Sequence, residues 1–341
     1  NDSRLFRTRE ELETEGWKLE GNVFNRDGKK YLPLYEAKMI WHFDHRFGTY
    51  EGVRSRSSTH LPTPSIDQYS DPKYTVLPFY WVAEEDMLDR LVPLTQEESE
   101  DIQKGALTLA EAWELQRKRA SKWLMGFRDV TNVTNERTTI FTFLPKAGVG
   151  HTMPLVILNN QKKHKLVPLK LANLNCFVLD YLSRQKIGGT HLTYAYLKQL
   201  PTLYSDAYQS ENINFIFPRV IELVYTTWDL KPLAKDCGYD GPPFKWDEER
   251  RFLIRCELDA AYFHLYDINR YDVDYIMETF PIVKRKDIQK YGDYRTKLTI
   301  LKIYDKIKKA IETGKPYQTI LDPPPADPRV AHPPKDSLIP L

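Results

Sequence analysis

The apolar positions of this chain change period several times. Leu32, Leu34, Met39, Ile40 and Phe43 interleave with Lys38, His42, His45 and Arg46, which predicts a strand, a turn and a second strand or short helix. Tyr74–Val82 (YTVLPFYWV) is β-branched and aromatic, the composition of another strand. Thr108 and Glu111 then form a capping-box pair, and Leu109, Ala112, Trp113, Gln116, Ala120, Trp123, Leu124 and Phe127 keep helical spacing up to about Phe127. A β-rich run returns at Thr139–Leu144 (TIFTFL). Leu171, Leu174, Val178, Tyr181 and Leu182 mark the next helix, with Arg184 and Lys186 in its last turn, where cations suit the helix dipole. Gly188–Gly189 is expected to stop it by taking positive φ.

After Pro201 the pattern is almost wholly helical, with helices predicted over 218–228, 247–266, 272–280 and 296–313. Asp247 is a natural N-cap and Gly314 a natural stop. Between these elements lie Asn25–Gly28 (NRDG), a turn; Gly48–Tyr74, a long loop rich in Ser, Thr, Pro and Arg; and Asn159–Lys165 (NNQKKHK), a basic hairpin tip. The whole predicts an α+β fold. A polar lead-in over 1–30 precedes a mixed strand-and-loop domain over 31–215, a helical domain over 216–320 and a proline-rich tail over 321–341.

Composition narrows the class. With 341 residues, 28% charged and 13% aromatic, the chain is globular and large enough for two domains. No apolar run approaches the length of a membrane span, and no secretory signal opens the chain. Cys176, Cys237 and Cys256 fit no zinc spacing, which points to a reduced, cytoplasmic setting. A start at Asn1 fits a fragment. The net charge of +2 hides an asymmetry: Arg117–Lys198 holds fourteen Lys and Arg against three acids, leaving −9 for the remainder. A basic middle third suits a phosphate-binding surface, although separate solvated faces would give the same count.

Two clusters carry candidate chemistry. Asn132, Asn135, Arg137 and Thr138 precede the 139–144 strand. Asn pairs with adenine edges and Arg with guanine edges, and the same residues also serve turns and caps. Arg184, Lys186, Thr190 and His191 surround the glycine pair, where a backbone can approach a phosphate and flanking side chains can donate.

Five blocks carry a resemblance: Tyr31–Arg46 (YLPLYEAKMIWHFDHR), Gly126–Thr138 (GFRDVTNVTNERT), Pro145–Leu155 (PKAGVGHTMPL), Leu171–Pro201 (LANLNCFVLDYLSRQKIGGTHLTYAYLKQLP) and Asp240–Lys286. They resemble the specificity region of restriction–modification adenine-N6 DNA methyltransferases, especially large single-chain enzymes with a TaqI-like C-terminal specificity domain. The resemblance implies a target-recognition fragment that binds double-stranded DNA and works with a missing N-terminal methyltransferase domain, in restriction or phage defence. With the clusters above it nominates Lys38, His45, Arg46, Arg128, Asn135, Arg137, Arg184, Lys186, Thr190 and His191 as DNA-contacting residues. The catalytic part of such an enzyme is not represented. No glycine-rich S-adenosylmethionine loop occurs, and Asp322-Pro323-Pro324 is followed by Pro325 where an aromatic must stack on the extruded base. No catalytic residue, metal ligand or cofactor is therefore assigned to this chain. S-adenosylmethionine, with magnesium if it also cleaves, is expected for the parent.

Two other classes compete. A protein-interaction scaffold would dock partners on the helical tail. A metal-dependent nuclease would use Asp27, Glu36 and Lys38, two carboxylates to hold magnesium and a lysine to help activate water.

Overall fold

Three short strands organise the first part of the chain. In the computed structural model, which describes residues 2–58, 60–157 and 165–334, β1 (Lys18–Glu20), β2 (Val23–Arg26) and β3 (Lys29–Tyr35) form an antiparallel meander. Asp27 and Gly28 both take positive φ, 49° and 78°, as a two-residue hairpin turn requires. β4 (Trp81–Ala83) pairs with the other edge of β3. β5 (Trp123–Phe127) and β6 (Phe141–Pro145) form a separate antiparallel pair, and β7 (Gly148–Val149) lies parallel to the end of β3. The expected lead-in is thus structural: Leu12 and Phe24 are buried against Trp81.

Five helices belong to this first half: α1 (Arg9–Thr14), α2 (Ile66–Ser70), α3 (Glu84–Leu91), α4 (Gln96–Gln103) and α5 (Leu109–Arg119). The Thr108–Glu111 capping box is present. The helix ends at Arg119, however, and 123–127 is strand. A continuous apolar run reads equally as buried helix or buried strand, and pairing with β6 decides it. Of the expected 74–82 strand only its end, from Trp81, joins the sheet.

From Val167 the chain is helical: α6 (Val167–Asn175), α7 (Phe177–Arg184), α8 (Tyr194–Leu197), α9 (Ser210–Val224), α10 (Lys231–Asp236), α11 (Glu248–Leu265), α12 (Arg270–Glu278), α13 (Pro281–Tyr291) and α14 (Arg295–Thr313). Asp247 caps α11 and Gly314 ends α14 with φ 64°, as expected. The single helix expected over 171–186 is broken at Cys176, which is extended (φ −71°, ψ 153°). Bonds to distant parts of the chain hold the break. Asn175 bonds both the N–H and the C=O of Phe141, and Asp259 accepts from the N–H of Phe177. Gly188 and Gly189 do not stop α7 and neither is left-handed: the helix ends at Arg184, where the chain turns to bury Ile187.

One core joins the halves. Phe43, Met125, Phe127, Phe141 and Phe143 pack with α6, α7, α9, α11, α12 and α14. The boundary expected at 215/216 falls inside α9, and the helical unit begins near Val167.

Candidate nucleic-acid interface

Asp180, on α7, is fully buried and accepts from two arginines and a backbone amide. Arg137 Nε lies 2.7 Å from Oδ2, Arg184 Nε 3.1 Å from Oδ1, and Thr138 N 3.0 Å from Oδ2. The guanidinium of Arg137 stacks over Phe177 and that of Arg184 over Phe280. These two candidates are consequently not duplex contacts: their side chains are 10% and 8% exposed. A buried carboxylate needs such partners to remain charged. Burial, opposed by Asp180, lowers the Arg184 pKa. Asp180 and Arg184 are an i,i+4 pair, so this link was visible in the chain; the Arg137 link, 43 residues away, was not.

This brace supports a lip made of two loops. Arg184 Nη2 donates to the carbonyls of Asn135 and Glu136. Thr131 N donates to Thr190 O at 2.9 Å and Leu192 N to Asp129 O at 2.8 Å, a short antiparallel bridge between the 128–138 loop and the turn after α7. Asn135, Lys186, Thr190 and His191 are exposed on these two joined segments. His191 Nδ1 lies 3.0 Å from Asp129 Oδ2; a proton on Nδ1 leaves Nε2 as an outward acceptor. An amide, a hydroxyl, an imidazole and an ammonium thus share one rim. A Cβ at Gly188 or Gly189 would meet nothing within 4 Å, so packing does not require glycine at either.

The other nominated residues face inward. Arg46 is fully buried, bonding the carbonyls of Gln68 and Tyr69 and the hydroxyl of Thr226, and burial lowers its pKa. His45 is buried against Asp229 at 3.1 Å and Thr227. Arg128 donates to Ile40 O at 2.9 Å beneath Trp41 and Phe47, and burial brings its pKa down to about 10. Lys38 donates to the carbonyls of Arg56 and Ser58, anchoring the long loop. All four hold structure together: each spends side-chain hydrogen bonds on groups inside the fold.

The basic middle third does not form one face. Arg117 pairs with Glu84 and Glu85, Lys146 with Glu84, and Arg119 with Glu98, acids from outside that segment. Lys118, Lys122 and Lys186 make no ion pair among the described residues. The basic tip expected at 159–165 lies outside the described residues up to position 164. The nuclease arrangement fails on distance: Asp27 and Glu36 stand at opposite ends of β3, roughly 25 Å apart at 3.3 Å per residue. Glu36 is buried and accepts from Tyr50 and Arg56.

The three cysteines are buried thiols. Among the described residues no helix is long and apolar enough to cross a membrane. No protein-family model matches the chain, and no curated protein does.

Proposed function

We propose that this chain is a DNA-recognition module, the target-recognition part of an adenine-N6 DNA methyltransferase of a restriction–modification or defence system. It would act inside the cell with a separate S-adenosylmethionine-binding catalytic domain. One observation carries the reading: four polar candidates, drawn from segments about fifty residues apart, meet on one exposed rim that a buried Arg–Asp–Arg brace supports. Asn135 offers the donor and acceptor that pair with an adenine edge, and Lys186 supplies charge for phosphate. Fluorescence anisotropy with duplex DNA at several salt concentrations tests this. Lys186→Ala should weaken binding to all sequences alike and lower the slope of log affinity against log salt by about 0.9. Asn135→Ala should change the ranking of sequences by roughly 1–3 kcal/mol at one base position. Wild-type slope and ranking in both variants would overturn the assignment of the rim. The chain alone should transfer no label from tritiated S-adenosylmethionine to DNA.

A further inference from the structure

Asp129 and His191 meet across the lip, one from each of the two segments that the Val130–His191 bridge joins. The carboxylate is sunk into the fold, its side chain 17% exposed, and the imidazole beside it is 53% exposed. Asp129 Oδ2 lies 3.0 Å from His191 Nδ1. Its other oxygen, Oδ1, is buried and has no hydrogen-bond partner among the described residues. Backbone bonds hold the pair in place: Asp129 N donates to Thr152 O, and Leu192 N donates to Asp129 O. An anion with one oxygen unmet gains most from a partner that carries a full positive charge.

The other end of the ring, Nε2, makes no hydrogen bond among the described residues. A neutral imidazole that spends its proton on Asp129 presents only an acceptor there. A phosphate also offers only acceptors, so the two cannot bond. A proton added at Nε2 makes the ring a donor at both ends, toward Asp129 inside and phosphate outside. Histidine is the side chain suited to that change near neutral pH. The other charged and titratable groups on the elements that meet here are largely committed. Arg128 donates inward to Ile40 O, Glu136 pairs with Lys286, and Tyr194 bonds Leu155. Arg137 and Arg184 are neutralised in part by Asp180 beneath the rim. His151, next to Thr152, and Lys186 make no ion pair among the described residues. Lys186 disfavours a second positive charge on the bare rim, and a phosphate laid across both would offset that. We propose that His191 is a proton-linked phosphate contact: seated on Asp129, it binds DNA in its doubly protonated form, so binding takes up as much as one proton. The inference rests on the DNA reading above. The proton passes from solvent to Nε2, and no other bond changes.

Calorimetry with a mixed-sequence duplex, at one pH in two buffers of different ionisation heat, counts the protons. Wild type should take up a clear fraction of a proton more than His191→Gln, which keeps a donor for Asp129 without the charge. His151→Gln should keep the wild-type count. In anisotropy titrations, wild-type affinity should rise by up to about tenfold per pH unit as pH falls from 8 to 6. The slope of log affinity against log salt should be steeper at pH 6 than at pH 8 by up to about 0.9. Both effects should vanish in His191→Gln and shrink in Asp129→Asn, which keeps an acceptor and loses the charge. A proton count, pH profile and slope unchanged in His191→Gln, while Lys186→Ala still flattens the slope, would overturn the inference and leave the DNA reading standing. A ranking of sequences that shifts with pH at constant slope would also overturn it, since that marks a base contact. Failure to bind duplex at any pH would remove both readings.

Discussion

Removing one partner of a buried ion pair leaves the other charge uncompensated, at a cost of about 3–5 kcal/mol. Asp180→Ala would strand Arg137 and Arg184 together, and urea unfolding should show a loss at least that large. Arg184→Ala should likewise reduce stability and disturb the rim by freeing the Asn135 and Glu136 carbonyls. Asp259 gives a pH signature. Burial raises its pKa to about 6, above the ordinary 3.8. Between those values the folded state binds more protons than the unfolded, so this group's contribution to stability falls as pH rises through the window and is level above it. Asp259→Asn keeps an acceptor for Phe177 N without the charge. Its stability relative to wild type should therefore rise between pH 4 and pH 7, by up to roughly 3 kcal/mol. Unfolding at three pH values checks this; a constant difference would refute it.

Elements with their own caps were legible in the chain. α11 and α14 lie within a residue or two of expectation because Asp247, Gly314 and their apolar stripes are local signals. The strand at 123–127 and the break at Cys176 were not legible. Their causes lie in β6 and in Asp259, 82 residues from Phe177. Two glycines now separate fold from recognition. At Gly148 a Cβ would sit 2.5 Å from Val82 Cγ1 and 3.2 Å from Leu34 Cδ1, where β7 packs beside β3. Gly148→Ala should cost roughly 1–3 kcal/mol by overpacking, read as a lower urea midpoint. Gly189 has open space and no left-handed φ. Gly189→Ala should leave stability unchanged or raise it by up to about 1 kcal/mol. Where a phosphate approaches that backbone, duplex affinity should fall at the same time.

For the molecule as a whole, the shared core makes the two halves interdependent. α9 crosses the boundary suggested by composition, and its partner α6 lies on the other side. Residues 216–341 expressed alone would expose the face that covers α6 and α7, and should show no cooperative unfolding by circular dichroism. A cooperative transition in that fragment would restore the earlier boundary. Four of the ten nominated contacts remain on the surface, and the other six turn inward. Apart from the i,i+4 pair of Arg184 with Asp180, the chain gives little local sign of which charges turn inward, because their acceptors are distant: Asp180 for Arg137, Ile40 for Arg128, Asp229 for His45. The bonds that close the lip are made by backbone amides and by Arg184, not by the side chains of Asn135, Lys186 or Thr190. Those three positions are therefore free to drift. A library randomised at them should express and fold like the parent; if the rim reads DNA as proposed, a lineage carrying this frame could change its target one substitution at a time, without passing through an unfolded intermediate sequence.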